Sequence, residues 1–160
     1  MDPKIKAFLD LIGWSEGTST SPITLNQGYD VIVTGVDGPS VFTDYSRHPF
    51  ELGGAVVVRR SPLLQSSAAG RYQLLARYWR AYKGQLGLTD YSPSSQDAVA
   101  LQQMREHGAP GKLLAGDVHG AIEACSTIWA SFPGNSYGQA GGHSLEELVS
   151  KYQEFLGTAS

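Results

Sequence analysis

Apolar side chains recur at Ile5, Phe8, Leu9 and Ile12, at spacings of three, four and seven, which predicts an amphipathic helix over Pro3 to about Ser15 with one core-facing stripe. The polar, turn-prone run Thr18-Ser19-Thr20-Ser21-Pro22 hands this helix over to a loop. The pattern then becomes β-branched and aromatic. Tyr29-Asp30-Val31-Ile32-Val33-Thr34 reads as a strand, Gly35 to Pro39 as a turn, Val41 to Tyr45 as the return strand, and Gly54 to Arg59 as a third. From about Arg71 the period is helical again, with Leu74, Leu75, Tyr78, Trp79, Tyr82 and Leu86 as a core stripe and Gly87 behind it. Ser92 and Pro93 supply an N-cap and a first-turn proline for a helix that passes through Ala98, Val99, Leu101 and Met104 to end near Gly108. Asp117 caps a further helix carrying Val118, Ile122, Cys125 and Trp129, closed before Pro133-Gly134. Ser144 and Glu147 have capping-box spacing ahead of Leu145, Leu148, Val149, Tyr152 and Leu156, with Gly157 expected beyond the helix end. The sum is an α+β domain: an N-terminal helix, a small antiparallel sheet, then four helices forming a mainly helical lobe, with a substrate cleft expected between sheet and helices.

Composition narrows the class. A chain of 160 residues suits a single domain, 1–160, and 41% hydrophobic with 17% charged residues suits a globular protein. No apolar run approaches the ~20 residues of a membrane span, and the N-terminal residues lack the pattern of a secretory signal, so neither membrane insertion nor unaided export is expected. Cys125 is the one cysteine, so an intrachain disulfide and a cysteine-rich metal site are excluded, and its neighbours Ile122 and Ile128 make it a core filler. A net charge of −3 with no basic cluster beyond Arg59-Arg60 gives no electrostatic footprint for nucleic acid. With 19 glycines and 8 prolines, many loops are implied, which suits a groove built from several connections.

Several chemistries lack their motifs: there is no phosphate-cradling glycine loop, no His-Glu-x-x-His and no Gly-x-Ser-x-Gly. His48, His107, His119 and His143 are scattered through loops and helix ends and read as surface residues; neither a metal nor a cofactor is expected. One carboxyl stands out. Glu16 follows Ile12 by four and Ile5 by eleven, so it falls on the apolar stripe of the first helix. Burial there disfavours the ionised form, and the carbonyl end of the helix dipole opposes an anion as well. A carboxyl so placed holds its proton to higher pH and can act as a general acid. The alternative is that the helix stops one residue early and Glu16 turns to solvent.

Eight segments carry a resemblance: Ala7 to Asp10, Trp14-Ser15-Glu16-Gly17, Gly28 to Val33, Phe42 to Ser46, Ala69 to Leu75, Ser95 to Gln103, Ile128 to Ser131, and Tyr137-Gly138-Gln139. In this order and across nearly the whole chain, the sequence resembles the endolysins of lambda-type bacteriophages. The resemblance implies a lysozyme-like α+β fold and lytic transglycosylase activity on peptidoglycan. The bond cleaved would be the β-1,4 link between N-acetylmuramic acid and N-acetylglucosamine, leaving a 1,6-anhydromuramic end. It also implies Glu16, in Trp-Ser-Glu-Gly, as the catalytic residue, acting first as acid and then as base.

The Gly70-Arg71-Tyr72-Gln73 segment looks like the Gly-x-x-Gln element of lytic transglycosylases, which makes Gln73 a sugar ligand; read without the resemblance it is a glutamine in a helix N-terminal turn, facing water. Tyr137 and Gly138, in the Gly134 to Gly142 loop, and Tyr29 with Asp30, beside the first strand, are expected to line opposite walls of the groove. Asp30 or Asp44 would be the second carboxylate if the enzyme were a hydrolase, although each also reads as an ordinary strand or turn residue. The chain departs from the lambda pattern at Val36 to Ser40 and at Phe50 to Gln65, where Val56-Val57-Val58 is either a strand or an exposed apolar lip. The resemblance further implies the glycan strand as partner and a protein held in the host cytoplasm until a holin gives it access to the periplasmic cell wall; a monomer is expected. A muramidase and a non-catalytic wall-binding module are the competing readings.

Overall fold

The computed structural model describes residues 1–133 and 142–158. The chain falls into two compact units, Met1–Glu16 with Ala100–Ser160, and Gly17–Val99.

The first unit is helical. Helix α1 spans Pro3–Ser15, capped by Asp2, whose carboxylate accepts from the Lys4 N–H at 2.8 Å, with Pro3 in the first turn where its missing donor costs nothing. More than a stripe of it is covered: Ile5, Ala7, Phe8, Leu9, Leu11, Ile12, Gly13 and Ser15 are all buried. A helix covered on most of its faces is a core helix, and α6 (Leu145–Thr158) packs along it. The Phe8 ring meets Phe132 and Tyr152 edge-on, at centroid distances of 5.9 and 6.5 Å. The end of α3 (Pro93–Glu106), together with α4 (Ala109–Leu114) and α5 (Val118–Ala124), completes the unit.

The second unit holds two antiparallel hairpins. Strands β1 (Val31–Gly35) and β2 (Gly38–Val41) close through Val36-Asp37, and β3 (Val56–Arg60) and β4 (Leu63–Ser66) through Ser61-Pro62, a cis peptide. The hairpins touch where the Val36 N–H donates to the Val57 carbonyl at 2.9 Å, and a side chain at Gly35 would collide with Val56 and Val57. Helix α2 (Ala76–Leu86) ends on Gly87 in the left-handed region at φ 65°. Leu74, Trp79, Tyr91 and Val99 form the buried core, with Phe42, Tyr82, Leu86 and Leu88 packed against it.

The α+β class holds, with local corrections. The return strand is Gly38–Val41 and not Val41 to Tyr45, because the tight turn takes up only two residues. Val56 to Val58 lie in a strand, but β4 and α4 escaped the pattern, so five helices and not four follow the strands among the described residues. Helix α2 starts at Ala76, not Arg71, because Gly70 and Gln73 both take positive φ. Helix α5 stops at Ala124, yet Cys125, Trp129 and Phe132 stay buried through successive turns, so helix-like spacing of apolar residues outlasts the helix. Gly157 lies inside α6, one residue before its end.

Candidate active site

Glu16 is the residue immediately after the last turn of α1. Its own φ and ψ, −75° and −7°, are still helical, and its N–H donates to the Ile12 carbonyl at 2.8 Å, so the side chain keeps the direction the helix gives it. Gly17, at φ 78°, then turns the chain away. The helix does stop at Ser15, as in the solvent-facing alternative, but Glu16 is only partly exposed. Protein atoms crowd its carboxyl enough that desolvation dominates its titration and raises its pKa above the ordinary glutamate value.

Ser131 opposes that shift, through both its hydroxyl and its backbone, by hydrogen-bonding the carboxylate form. The Ser131 hydroxyl accepts from the Ser15 hydroxyl at 2.7 Å, so a short relay from Ser15 through Ser131 ends on Glu16. Both serines are buried. Sequence reasoning gave Ser131 no role, although it closes one of the quoted segments. In the same unit the Trp14 ring stacks on His143 at 4.3 Å, with the Lys151 ammonium 5.2 Å from its centre and His143 Nδ1 2.8 Å from Glu147.

In the second unit, Gly70 to Gln73 forms a closed turn. Ala69 and Leu74 exchange both backbone hydrogen bonds, at 3.2 and 3.1 Å, and the Gly70 N–H donates to the Val31 carbonyl at 2.8 Å. Gly70, at φ 88°, leaves no room for a side chain beside Gln96 and Tyr91, and the Gln96 Oε1 accepts from the Arg71 N–H at 2.9 Å. Gln73 is not in a helical turn: it takes φ 54°, costly for a residue with a side chain, and its Nε2 donates to the carbonyls of Gly70 at 2.9 Å and Val31 at 3.3 Å.

Tyr29 is half-buried. Its hydroxyl donates to Asp97 at 2.8 Å, the same oxygen that takes the Tyr72 hydroxyl at 2.6 Å, and the Arg71 guanidinium lies 5.2 and 5.8 Å from the two ring centres. Burial first, then the Asp97 charge, raises the Tyr29 pKa. Asp97 was quoted in the sequence without a role and is here the acceptor that fixes both tyrosines.

Asp30 requires a correction as a substrate-lining carboxylate. It is 4% exposed and accepts from the Thr24 hydroxyl at 2.5 Å and the Leu25 N–H at 3.0 Å, which makes it the anchor of the loop before β1. Asp44 is exposed and caps a turn by accepting from the Ser46 N–H at 2.9 Å; the Ser46 side chain first, then this backbone bond, lowers its pKa. His48 is another correction: it is fully buried, with Nε2 2.8 Å from the Leu74 carbonyl and Nδ1 accepting from the Phe50 N–H at 3.0 Å, so both ring nitrogens are used within the fold. Tyr137, Gly138 and Gln139 lie outside the described residues. Among the described residues no cluster of three or more histidine, cysteine or acidic side chains forms a metal site, and no helix is long and apolar enough to cross a membrane.

A carboxyl desolvated at the end of a core helix and hydrogen-bonded by a serine relay is chemically able to hold and return a proton, and the α+β chain that carries it is of lysozyme-like type. Residues 6–159 match the family profile named Endolysin, and the chain belongs to that family. It is 53% identical over 154 residues to the endolysin of Escherichia phage lambda, covering 96% of this chain and 91% of that protein. The endolysin of Escherichia phage P2 is 51% identical over 150 residues, with coverages of 93% and 90%. The solved structure of bacteriophage lambda lysozyme complexed with a chitohexasaccharide matches with a TM-score of 0.87 at 51% identity, over 97% of this chain and 95% of that one. A second lambda lysozyme structure gives 0.83 at 48% identity with the same coverages.

Proposed function

We propose that this endolysin lyses the bacterial wall as a lytic transglycosylase, cleaving the β-1,4 bond between N-acetylmuramic acid and N-acetylglucosamine with Glu16 as its one acid and base. Protonated Glu16 gives its proton to the glycosidic oxygen as the bond from C1 breaks, and the N-acetylglucosamine fragment leaves as a free alcohol. The carboxylate then takes the proton of the muramic C6 hydroxyl while that oxygen closes on C1. Glu16 ends protonated as it began, no water enters, and the muramic end is a 1,6-anhydro ring.

The observation that carries this reading is the desolvated carboxyl of Glu16, with a raised pKa. A hydrolase would need a partner carboxylate about 5–5.5 Å away as nucleophile, or about 6.5–9.5 Å away to activate water. Asp30 and Asp44, the two aspartates the sequence offered, serve a loop and a turn. The chitohexasaccharide bound by the lambda relative supports a glycan ligand. In the same proposal Gln73 presents Oε1 to the sugar's N-acetyl group while its Nε2 is held by backbone carbonyls, Tyr29 offers its ring, and Tyr137 and Gly138 supply contacts from the 134–141 segment. Delivery is by a holin, from the host cytoplasm to the periplasmic wall, and the protein acts as a monomer.

Mass analysis of digested murein tests the reaction type. Muramic ends lighter than a reducing end by one water support transglycosylation; reducing ends alone would replace it with muramidase hydrolysis. Clearing of permeabilised cells by wild type but not by Glu16→Gln excludes a binding-only module.

A further inference from the structure

Within the second unit, an open pocket of about 390 Å³ uses none of the residues assigned above. Gln65 and Ser66 of β4 form one wall, Ser67 and Gly54 border it, and Arg77 and Arg80 project from the first turns of α2. No acidic residue lines it.

The two arginines are three apart on one helix, where like charges repel, and among the described residues neither meets a carboxylate. Arg80 gives Nε to the Glu51 carbonyl at 3.0 Å and Nη2 to the Phe50 carbonyl at 3.2 Å, which fixes its direction and leaves its charge uncompensated. Arg77 gives Nη2 to the Tyr78 hydroxyl at 3.2 Å. Glu51, the acid nearest to Arg80 in these contacts, spends its carboxylate on the Trp79 indole at 2.5 Å and the Lys83 ammonium at 3.0 Å. The pocket therefore keeps, for an anion, the guanidinium donors that these contacts do not take: Nη1 of Arg80, and Nε and Nη1 of Arg77. Its size exceeds what one inorganic ion fills and lies within the range of small-ligand sites. The β4 wall pairs only with β3 among the described residues, so its outer edge offers backbone donors and acceptors to an extended chain. Edge, hydroxyls and guanidiniums together suit a peptide with free carboxylates better than a phosphate.

We propose that this pocket binds a carboxylate-bearing peptide, the stem attached to muramic acid in the substrate strand, and gives the enzyme a preference for peptide-bearing over bare glycan. The inference rests on the peptidoglycan reading above.

Two measurements test it. Turnover is compared on peptide-bearing glycan strands and on the same strands stripped of peptide by an amidase, for wild type and for the double variant Arg77→Gln, Arg80→Gln. Wild type is expected to favour the peptide-bearing strand in kcat/KM by about tenfold, expressed in KM, the scale of one or two charge-assisted contacts, and the double variant to process both strands alike. A wild type without preference, or a variant that keeps it, overturns the inference. Amide NMR of the wild-type protein with free stem tetrapeptide, and separately with sodium phosphate, gives a readout independent of catalysis. Shifts at Ser66, Ala76 and Arg77 with peptide alone support the site. No shifts, or equal shifts with phosphate, overturn it. Cleavage of neither strand would instead defeat the peptidoglycan reading and leave the NMR result to decide this one.

Discussion

Ionising Glu16 in the folded chain removes a charge from water that the unfolded chain would leave solvated, and the Ser131 hydrogen bonds offset only part of that cost. The linkage has a definite sign. A carboxyl whose folded pKa is raised binds its proton more tightly in the native state, so its contribution to stability is present at low pH and declines as pH rises through the folded pKa. Glu16→Gln, which keeps shape and removes the charge, is therefore expected to raise Tm at pH 7 relative to wild type while lowering lytic activity by about 10²-fold or more, the usual scale of a lost general acid. Melting curves at pH 4 and pH 7, run beside a turbidity assay, check both halves. Ser131→Ala removes one of the two hydrogen bonds that favour the carboxylate, so the Glu16 pKa should rise further and the activity profile should move to higher pH. An unshifted profile would mean the relay does not tune the acid. For the aspartates, Asp44→Asn should leave lysis within about twofold, because an exposed turn residue contributes little.

At the level of elements, what places the acid is an end, not a middle. Helix α1 was legible but for its exact end, because its Pro3 and apolar spacing agree with one another, and the same spacing pointed to Glu16. The turn at Gly70 to Gln73 was not legible as a turn: apolar spacing from Leu74 onward continues smoothly into α2, and nothing in a pattern reveals that Gly70 and Gln73 adopt positive φ. The second hairpin was half visible, since Val56 to Val58 are strong strand formers while Leu63 to Ser66 carry no alternation. Ser131 was hidden for another reason: its partner is 116 residues away along the chain and no local pattern encodes it. Gly70→Ala should be severely destabilising, by about 2–4 kcal/mol, because it combines a left-handed backbone with collision against Gln96 and Tyr91. Gly17→Ala, with open space around it, should cost only about 1 kcal/mol. Denaturant melts of the two variants test the contrast, and equal losses would refute it.

For the molecule as a whole, pH acts on stability through groups of opposite sign. His48 is held neutral, its pKa pushed below the ordinary 6.5 chiefly by burial, with Leu74 and Glu51 working the other way and Arg80 adding to the depression. A histidine with a depressed folded pKa contributes stability that is present above the unfolded value and lost as pH falls below about 6.5. Glu16 works in the other direction as pH falls, while Asp44, Glu51 and Asp90, all with lowered pKa, lose their contributions only in the more acidic carboxylate range. Between pH 7 and pH 5 His48 and Glu16 oppose each other, so as pH drops in a thermal series Tm of His48→Gln should fall less, or rise more, than that of wild type. Equal slopes would assign the loss to other groups. Cys125, buried and with its thiol pushed up to about 12, should resist alkylation in the folded protein, so the whole-chain mass should be unchanged after thiol reagent.

The claim that everything else depends on is the state of one carboxyl, and carbon-13 NMR of the labelled Glu16 side chain reads it directly. The account predicts a titration midpoint above the ordinary 4.5, rising again in Ser131→Ala. A midpoint at or below 4.5 in the wild-type protein would contradict it.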